Sequence, residues 1–223
     1  MAYHNIVKEM FVIRIVFSKQ GNMKYTSHLD MIRCFMRIFN RANIPISQTH
    51  GFNPHPYMVF SSPLSLGVCS KCEMLDIKTD DNVPAHQMKE KMQETLPKGI
   101  EIIEIYEGGG AFNDIHFAEY ILSIEIAFEK QLISFFNQDS IPYQKKTKKG
   151  TIKTINLKEE ATLKKFVKDD KYINVFLTLP CGNLKNIGIN LYIDAFATYM
   201  NKNDFLRKVE RISFLDEHYE IFK

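Results

Sequence analysis

The chain has 223 residues, of which 45% are apolar and 25% are charged. Those proportions exclude a disordered chain, which combines low hydrophobicity with high net charge, and no apolar run approaches the roughly 20 residues of a membrane-spanning helix. The formal net charge of +3 does not by itself mark a nucleic-acid-binding protein, but it is unevenly spread, with ten Lys against four acidic residues between positions 144 and 171.

Phe11, Ile13, Ile15 and Phe17 alternate with Val12, Arg14, Val16 and Ser18, the period-2 pattern of a strand with one apolar face. That alternation, with Arg14 inside it and no small-residue cleavage site after it, reads as a strand and not as a signal peptide. Lys19-Gln-Gly-Asn22 ends the strand. Ser27-His-Leu-Asp30 has the form of a capping box with Asp in place of Glu, and predicts a helix over 28–42 that stops before Ile44-Pro45. Gly51-Phe-Asn-Pro-His-Pro56 reads as a stiff loop, Tyr57–Ser61 and Glu73–Thr79 as strands, Val83–Leu96 as a helix and Ile100–Tyr106 as a strand. Gly108-Gly-Gly110 opens a predicted linker over 108–116. Beyond it, alternation from Tyr120 to Phe128 predicts a strand, followed by a short helix over Lys130–Asn137. A hairpin is expected from Tyr143–Lys146 and Thr151–Leu157, then a strand over Lys171–Leu179, a helix over Asn186–Met200 and a strand over Lys208–Leu215. The expected fold is α+β, with two tandem ferredoxin-like (split βαβ) lobes of antiparallel sheet over 1–107 and 117–223, the second carrying an inserted basic hairpin.

Four features bear on function. At 100° per residue His28 falls within the apolar arc of the first helix, so Ser27 and Asp30 read as caps and His28 as a packed residue. A His and an Asp at a helix start also suit an anion or a proton in transit. Pro54 and Pro56 fix φ on either side of His55, which suits a presented binding loop or a rigid turn. Arg33, Arg37 and Arg41, at i, i+4 and i+8, share the polar face of the helix and suit phosphates or a solvated surface. Lys145, Lys146, Lys148 and Lys149 crowd the hairpin tip, where lysine either tracks a nucleic-acid backbone or protects a strand edge.

The four cysteines are too few for a disulfide scaffold and point to reduced thiols in the cytoplasm. Cys69-Ser-Lys-Cys72 is a lone CxxC without a second ligand pair, so no metal site is expected. There is no CxxxCxxC, GxxxxGK[ST], GxGxxG, HExxH or GxSxG motif.

An ordered series of motifs runs from Tyr25-Thr-Ser-His-Leu-Asp30 through Arg33, Arg37, Arg41-Ala42 and Pro45 to Gly51-Phe-Asn-Pro-His-Pro56. It continues with Pro63-Leu-Ser-Leu-Gly67, Glu73 and Asp76. The series resembles the radical SAM-linked protein family, a bacterial family of unknown function found as a separate chain beside a radical SAM protein or fused to its C-terminus. Ala118-Glu-Tyr120, Thr147-Lys-Lys-Gly150 and Arg211 extend the likeness, while Tyr57 and Met74 stand where the family favours a basic residue and Tyr. The resemblance implies a shared site among Tyr25, Ser27, His28, Asp30, Asn53, His55 and Glu73. It also implies a radical SAM partner that carries the iron–sulfur cluster and S-adenosylmethionine, with no cofactor in this chain.

The leading expectation is therefore an accessory protein that binds substrate, structured RNA, for a radical SAM enzyme. Arg33, Arg37, Arg41 and the Lys145–Lys149 tip would meet phosphates, and His28 and His55 would position the substrate. The alternatives are a metal-independent RNA-cleaving or RNA-modifying enzyme, with His28 and His55 as acid and base and Asp30 beside them, and a protein-only docking module for the radical SAM partner.

Overall fold

The computed structural model describes residues 11–79, 83–146 and 152–223. The chain separates into two compact units: Met1–Leu66 with Ser70–Gly110 and Lys223, and Gly67–Cys69 with Ala111–Phe222. The fold is a mixture of α and β structure, mostly antiparallel sheet with a few helices.

The first unit runs β1 (Phe11–Lys19), a 3-10 turn (Gly21–Tyr25), α1 (His28–Arg41), β2 (Met58–Phe60), β3 (Cys69–Thr79), α2 (Ala85–Gln93) and β4 (Ile100–Glu107). Its strands lie in the order β4-β1-β3-β2, each pair antiparallel. The apolar face of β1, Ile13, Ile15 and Phe17, packs against Met31, Phe35, Ile38 and Phe39 of α1 and Met88 and Met92 of α2. Phe17 and Phe35 meet at 4.7 Å between ring centres.

The opposite face of β1 carries Arg14, which is only 1% exposed. Its register partners are Asp76 on β3 and Tyr106 on β4. Nε and Nη2 of Arg14 donate to the two carboxylate oxygens of Asp76, each at 2.8 Å, and Nη2 also donates to the Gly110 carbonyl at 2.7 Å. Burial works against the guanidinium charge, but the hydrogen bonds and charge of Asp76 outweigh it and hold the Arg14 pKa above its ordinary value. Gly109, at φ +117°, passes so close that a β-carbon there would sit 2.6 Å from Nη1 of Arg14. Glycine is required at that point by both the space and the backbone angle.

The second unit runs from a 3-10 turn (Phe112–Asp114) to β5 (Phe117–Glu125), a 3-10 turn (Ile126–Phe128), α3 (Glu129–Phe136), β6 (Pro142–Lys146) and β7 (Ile152–Asn156). It continues with α4 (Leu157–Glu160), β8 (Thr162–Lys168), β9 (Tyr172–Pro180), α5 (Asn190–Met200) and β10 (Leu206–Leu215). Here the order is β10-β5-β9-β8, again antiparallel, with β6 and β7 paired as a separate hairpin. Ala118, Tyr120, Leu122 and Ile124 of β5 and Ile173, Val175, Leu177 and Leu179 of β9 form buried rows. Phe135, Phe196 and Phe205 pack edge to face at 4.9–5.2 Å.

Several boundaries differ from expectation. β8 was not expected, because Thr-Leu-Lys-Lys-Phe-Val-Lys holds three lysines in seven residues. It is an almost wholly exposed edge strand whose apolar pattern is weak for that reason. The alternation to Phe128 breaks into a 3-10 turn at Ile126, and α5 starts at Asn190, not Asn186. The 108–116 segment is no free linker: Gly110 N–H donates to the Lys223 carbonyl at 2.9 Å, Phe112–Asp114 form a turn, and Ile115 is buried. Cys69 and Cys72 lie within β3, both buried and neither in a disulfide, where the sequence pattern placed them between two strands.

Replacing Asp76 by Ala strands the buried Arg14 charge and is expected to cost about 3 kcal/mol, as is usual when one partner of a buried pair is removed. A urea titration reads this as a lower midpoint at unchanged slope. Gly109→Ala is expected to cost about 1–3 kcal/mol in the same assay, through backbone strain and the close approach to Arg14.

Candidate functional site

The Tyr25–Asp30 motif is built on the junction of β1 and α1. Lys19, at the end of β1 and only 3% exposed, donates from Nζ to the Thr26 carbonyl at 2.9 Å. That bond ties the strand end to the residue before the helix cap. The Ser27 hydroxyl accepts from Asp30 N–H at 3.2 Å and donates to an Asp30 carboxylate oxygen at 2.7 Å; Nη1 of Arg33 donates to the other oxygen at 3.0 Å. The Ser27 hydroxyl, then Arg33, hold the Asp30 carboxyl below its ordinary pKa. Asp30 is therefore engaged as the helix cap, with its charged form favoured.

His28 is exposed and not packed in the core as the helical arc implied. It is the first residue of α1, where the helix has barely begun and its side chain escapes the apolar stripe. Its ring stands edge-on to Phe60 at 5.4 Å. His28 lines a shallow cleft with Lys19, Phe60, Ser61, Ser62 and Glu73. The cleft holds only about 20 Å³, far below the about 300 Å³ at which small-molecule sites begin. Glu73, buried on β3 opposite Phe17, thus lines the same cleft as His28. Lys19, Ser61 and Ser62 were not anticipated; Lys19 read only as a strand-ending residue.

The Gly51–Pro56 loop is pinned at its base. Thr49 N–H donates to the His55 carbonyl at 2.7 Å, His55 N–H donates to the Thr49 hydroxyl at 3.1 Å, and Tyr57 N–H donates to the Ser47 carbonyl at 2.9 Å. Nδ1 of His55 lies 3.0 Å from the Thr49 hydroxyl and 3.2 Å from the Asn53 carbonyl. His55 and Asn53 are exposed, and neither lines the His28 cleft. The loop presents Phe52, wholly exposed, at its tip.

On α1, Arg33, Arg37 and Arg41 are exposed on the face away from buried Met31, Phe35 and Phe39. Arg33 is held by Asp30; among the described residues Arg37 and Arg41 form no ion pair or hydrogen bond. Lys145 and Lys146 close β6, while Lys148 and Lys149 lie outside the described residues.

A family model described as "Uncharacterized protein conserved in bacteria (DUF2344)" matches residues 12–187. The chain belongs to this family. The matched span contains every motif residue from Tyr25 to Glu73 and the β6–β7 hairpin. No curated protein matches the chain. Among solved structures, one described as an unknown protein from Galdieria sulphuraria is similar over 86% of this chain and 91% of its own. The identity is 9% and the TM-score 0.28. Among the described residues no group of three His, Cys, Asp or Glu side chains is arranged to hold a metal ion, and no helix is long and apolar enough to cross a membrane.

The cap makes a pH prediction. Because the folded-state pKa of Asp30 is lowered, its contribution is fully present above the ordinary value of 3.8 and is lost as the pH falls below it, through the lowered folded-state pKa. Asp30→Asn should therefore melt below the parent protein at pH 7, and the gap should close on acidification below 3.8 when followed by circular dichroism.

Proposed function

We propose that this protein is a cytoplasmic, non-catalytic accessory factor of a radical SAM enzyme and binds structured RNA for it. The observation that carries the reading is the exposed arginine face of α1, where Arg37 and Arg41 are left without an ion-pair partner among the described residues. Planar guanidinium groups one helical turn apart suit successive phosphate oxygens. Exposed Tyr25 and Phe52 add aromatic rings of the kind on which unpaired bases stack. The radical SAM partner, with its iron–sulfur cluster and S-adenosylmethionine, rests on the resemblance of the Tyr25–Asp76 motif series. The strand orders β4-β1-β3-β2 and β10-β5-β9-β8, each with a helix after its first and third strands, support reading the two units as tandem ferredoxin-like lobes.

Geometry favours binding over catalysis. An RNA-cleaving pair needs both imidazoles within reach of one phosphate. His28 stands against Phe60 in a cleft that His55 does not line, and the cleft is too small to enclose a substrate. Asp30 is committed to the helix cap. The cleft residues instead brace a surface on which His28, Leu29 and Tyr25 are exposed.

Filter binding of the full chain to structured RNA is expected to be salt-dependent. Arg37→Ala and Arg41→Ala should each weaken it about tenfold, as for loss of a charged hydrogen bond, and each should lower the slope of log affinity against log salt by about 1. The absence of RNA binding at low salt, with and without the radical SAM partner, would refute the reading.

A further inference from the structure

The second unit has a cleft of about 400 Å³ that the motif series does not touch. It opens where β5 begins, β8 begins and β9 ends. Register places Phe117 opposite Pro180 and Thr162 opposite Thr178, so these four share one face of the sheet. The other face carries buried Ala118, Leu177 and Leu179; Leu177 shares a small apolar cavity with Phe136 of α3 and Tyr192 of α5. The cleft therefore lies on the sheet face away from α3 and α5, with the end of α4 at its rim.

Its lining has three distinct chemistries. Phe117 and Tyr219 form an aromatic wall, stacked at 4.3 Å with 14° between their planes, and Lys164 Nζ stands 5.5 Å from the Tyr219 ring centre. The hydroxyl of Thr178, a residue 2% exposed, is buried without a hydrogen-bond partner among the described residues. The rim offers donors and acceptors together: Nδ2 of Asn183 donates to Oδ1 of Asn113 at 2.6 Å, and Lys185 pairs with Glu160. The Cys181–Gly182 turn that carries this rim packs tightly. Cys181 N–H donates to the His116 carbonyl at 2.8 Å, and a β-carbon on Gly182 would lie 2.5 Å from the Ile115 carbonyl oxygen.

We infer that this cleft takes a single unpaired nucleobase. A volume of about 400 Å³ falls in the range of small-ligand sites, about 300–1,000 Å³. A base offers a flat π face that can take the place of the Lys164 ammonium over the outer face of Tyr219, whose inner face Phe117 covers, and an edge bearing both donors and acceptors for the amide pair, the Glu160 carboxylate and the Thr178 hydroxyl. An unsatisfied buried hydroxyl is costly unless something bonds it, and a base edge can do so. Lys164, beside the wall, supplies a cation for the attached phosphate. The inference deepens the RNA reading above by naming what the second unit recognises, and rests on that reading for the source of the base.

The test is a titration of the full chain with adenosine, guanosine, cytidine and uridine 5′-monophosphates, followed by amide chemical shifts. Saturable binding of at least one mononucleotide is expected, with shifts concentrated at residues 113–117, 159–162, 178–185 and 219. A single-stranded tetranucleotide should bind more tightly than the monomer if the base comes from RNA; equal affinity would assign the cleft to a free nucleotide and overturn RNA as its source. Tyr219→Ala should weaken mononucleotide binding about tenfold through lost stacking, Tyr219→Phe should preserve it, and Thr178→Val, which keeps the shape and removes the hydroxyl, should weaken it in a base-dependent way. No binding at 10 mM, equal binding of inorganic phosphate, or indifference to both Tyr219→Ala and Thr178→Val in proteins that melt like the parent would overturn the inference. Loss of mononucleotide binding alone, with Arg37-dependent RNA binding intact, defeats this inference; loss of RNA binding alone defeats the reading of α1.

Discussion

The first unit is organised around one buried charge. Arg14 interrupts an otherwise apolar strand, and the strand tolerates it because Asp76 stands directly across on β3 and the Gly110 carbonyl closes over it. A slip of one residue between β1 and β3 would set the guanidinium against Leu75 or Ile77 and leave a buried charge unmatched. The pair therefore fixes register as well as holding two strands. With Arg14 opposite Asp76, Phe17 falls opposite Glu73 and, across the irregularity that follows, Lys19 falls opposite Ser70. That alignment places Glu73 and Lys19 at one cleft beneath His28. The motif series from Tyr25 to Asp76 is in this sense a single construction: its last member sets the register that positions its first.

Lys19 shows how the construction reaches the surface. Its ammonium is drawn inward to the Thr26 carbonyl, which sets the chain before Ser27, and Ser27 then caps α1. A helix started at that point must expose His28 and Leu29 on its first turn, while Met31, Phe35 and Phe39 descend into the core. Buried polar residues here do structural work, and the exposed residues they support are free to meet a partner. This division explains why the cleft is nearly closed: its charged members hold the frame and leave little room for a ligand.

Much of this was legible in the sequence because it follows from periodicity. The alternation from Phe11 to Ser18, the apolar arc of α1 and the Ser27–Asp30 cap are local patterns, and each appears where expected. What failed was whatever depends on neighbours distant in the chain. Arg14 reads only as a polar position of the alternating strand, because its partner Asp76 lies 62 residues away. Lys19 looked like a turn residue because its acceptor is a carbonyl, invisible to residue type. His28 was assigned to the core by angle alone, although a first-turn side chain need not follow the stripe. β8 was missed because its three lysines face solvent on both sides of an edge strand, which erases alternation. The second-unit cleft gave no motif at all, since its lining comes from four separate segments between Asn113 and Tyr219.

Charge follows the same logic of placement over total. A net +3 says little, yet the arginines of α1 are arranged with one of three already neutralised by Asp30 and two without an ion-pair partner among the described residues. An intrahelical pair at i, i+3 contributes only a few tenths of a kcal/mol, too little to explain three arginines on one face by folding stability. A surface cationic at Arg37 and Arg41, where helix stability would be served as well by neutral helix formers, is the one the proposed RNA contact would use. The cleft of the second unit differs in kind: Lys185 pairs with Glu160 at its rim, and on the inference drawn above its aromatic wall and buried hydroxyl would receive a flat polar ring. On the reading proposed above, phosphate affinity would fall chiefly on the α1 arginines and base selection on the second-unit cleft, so that changing the first set would alter salt dependence and changing the second would alter which base is preferred.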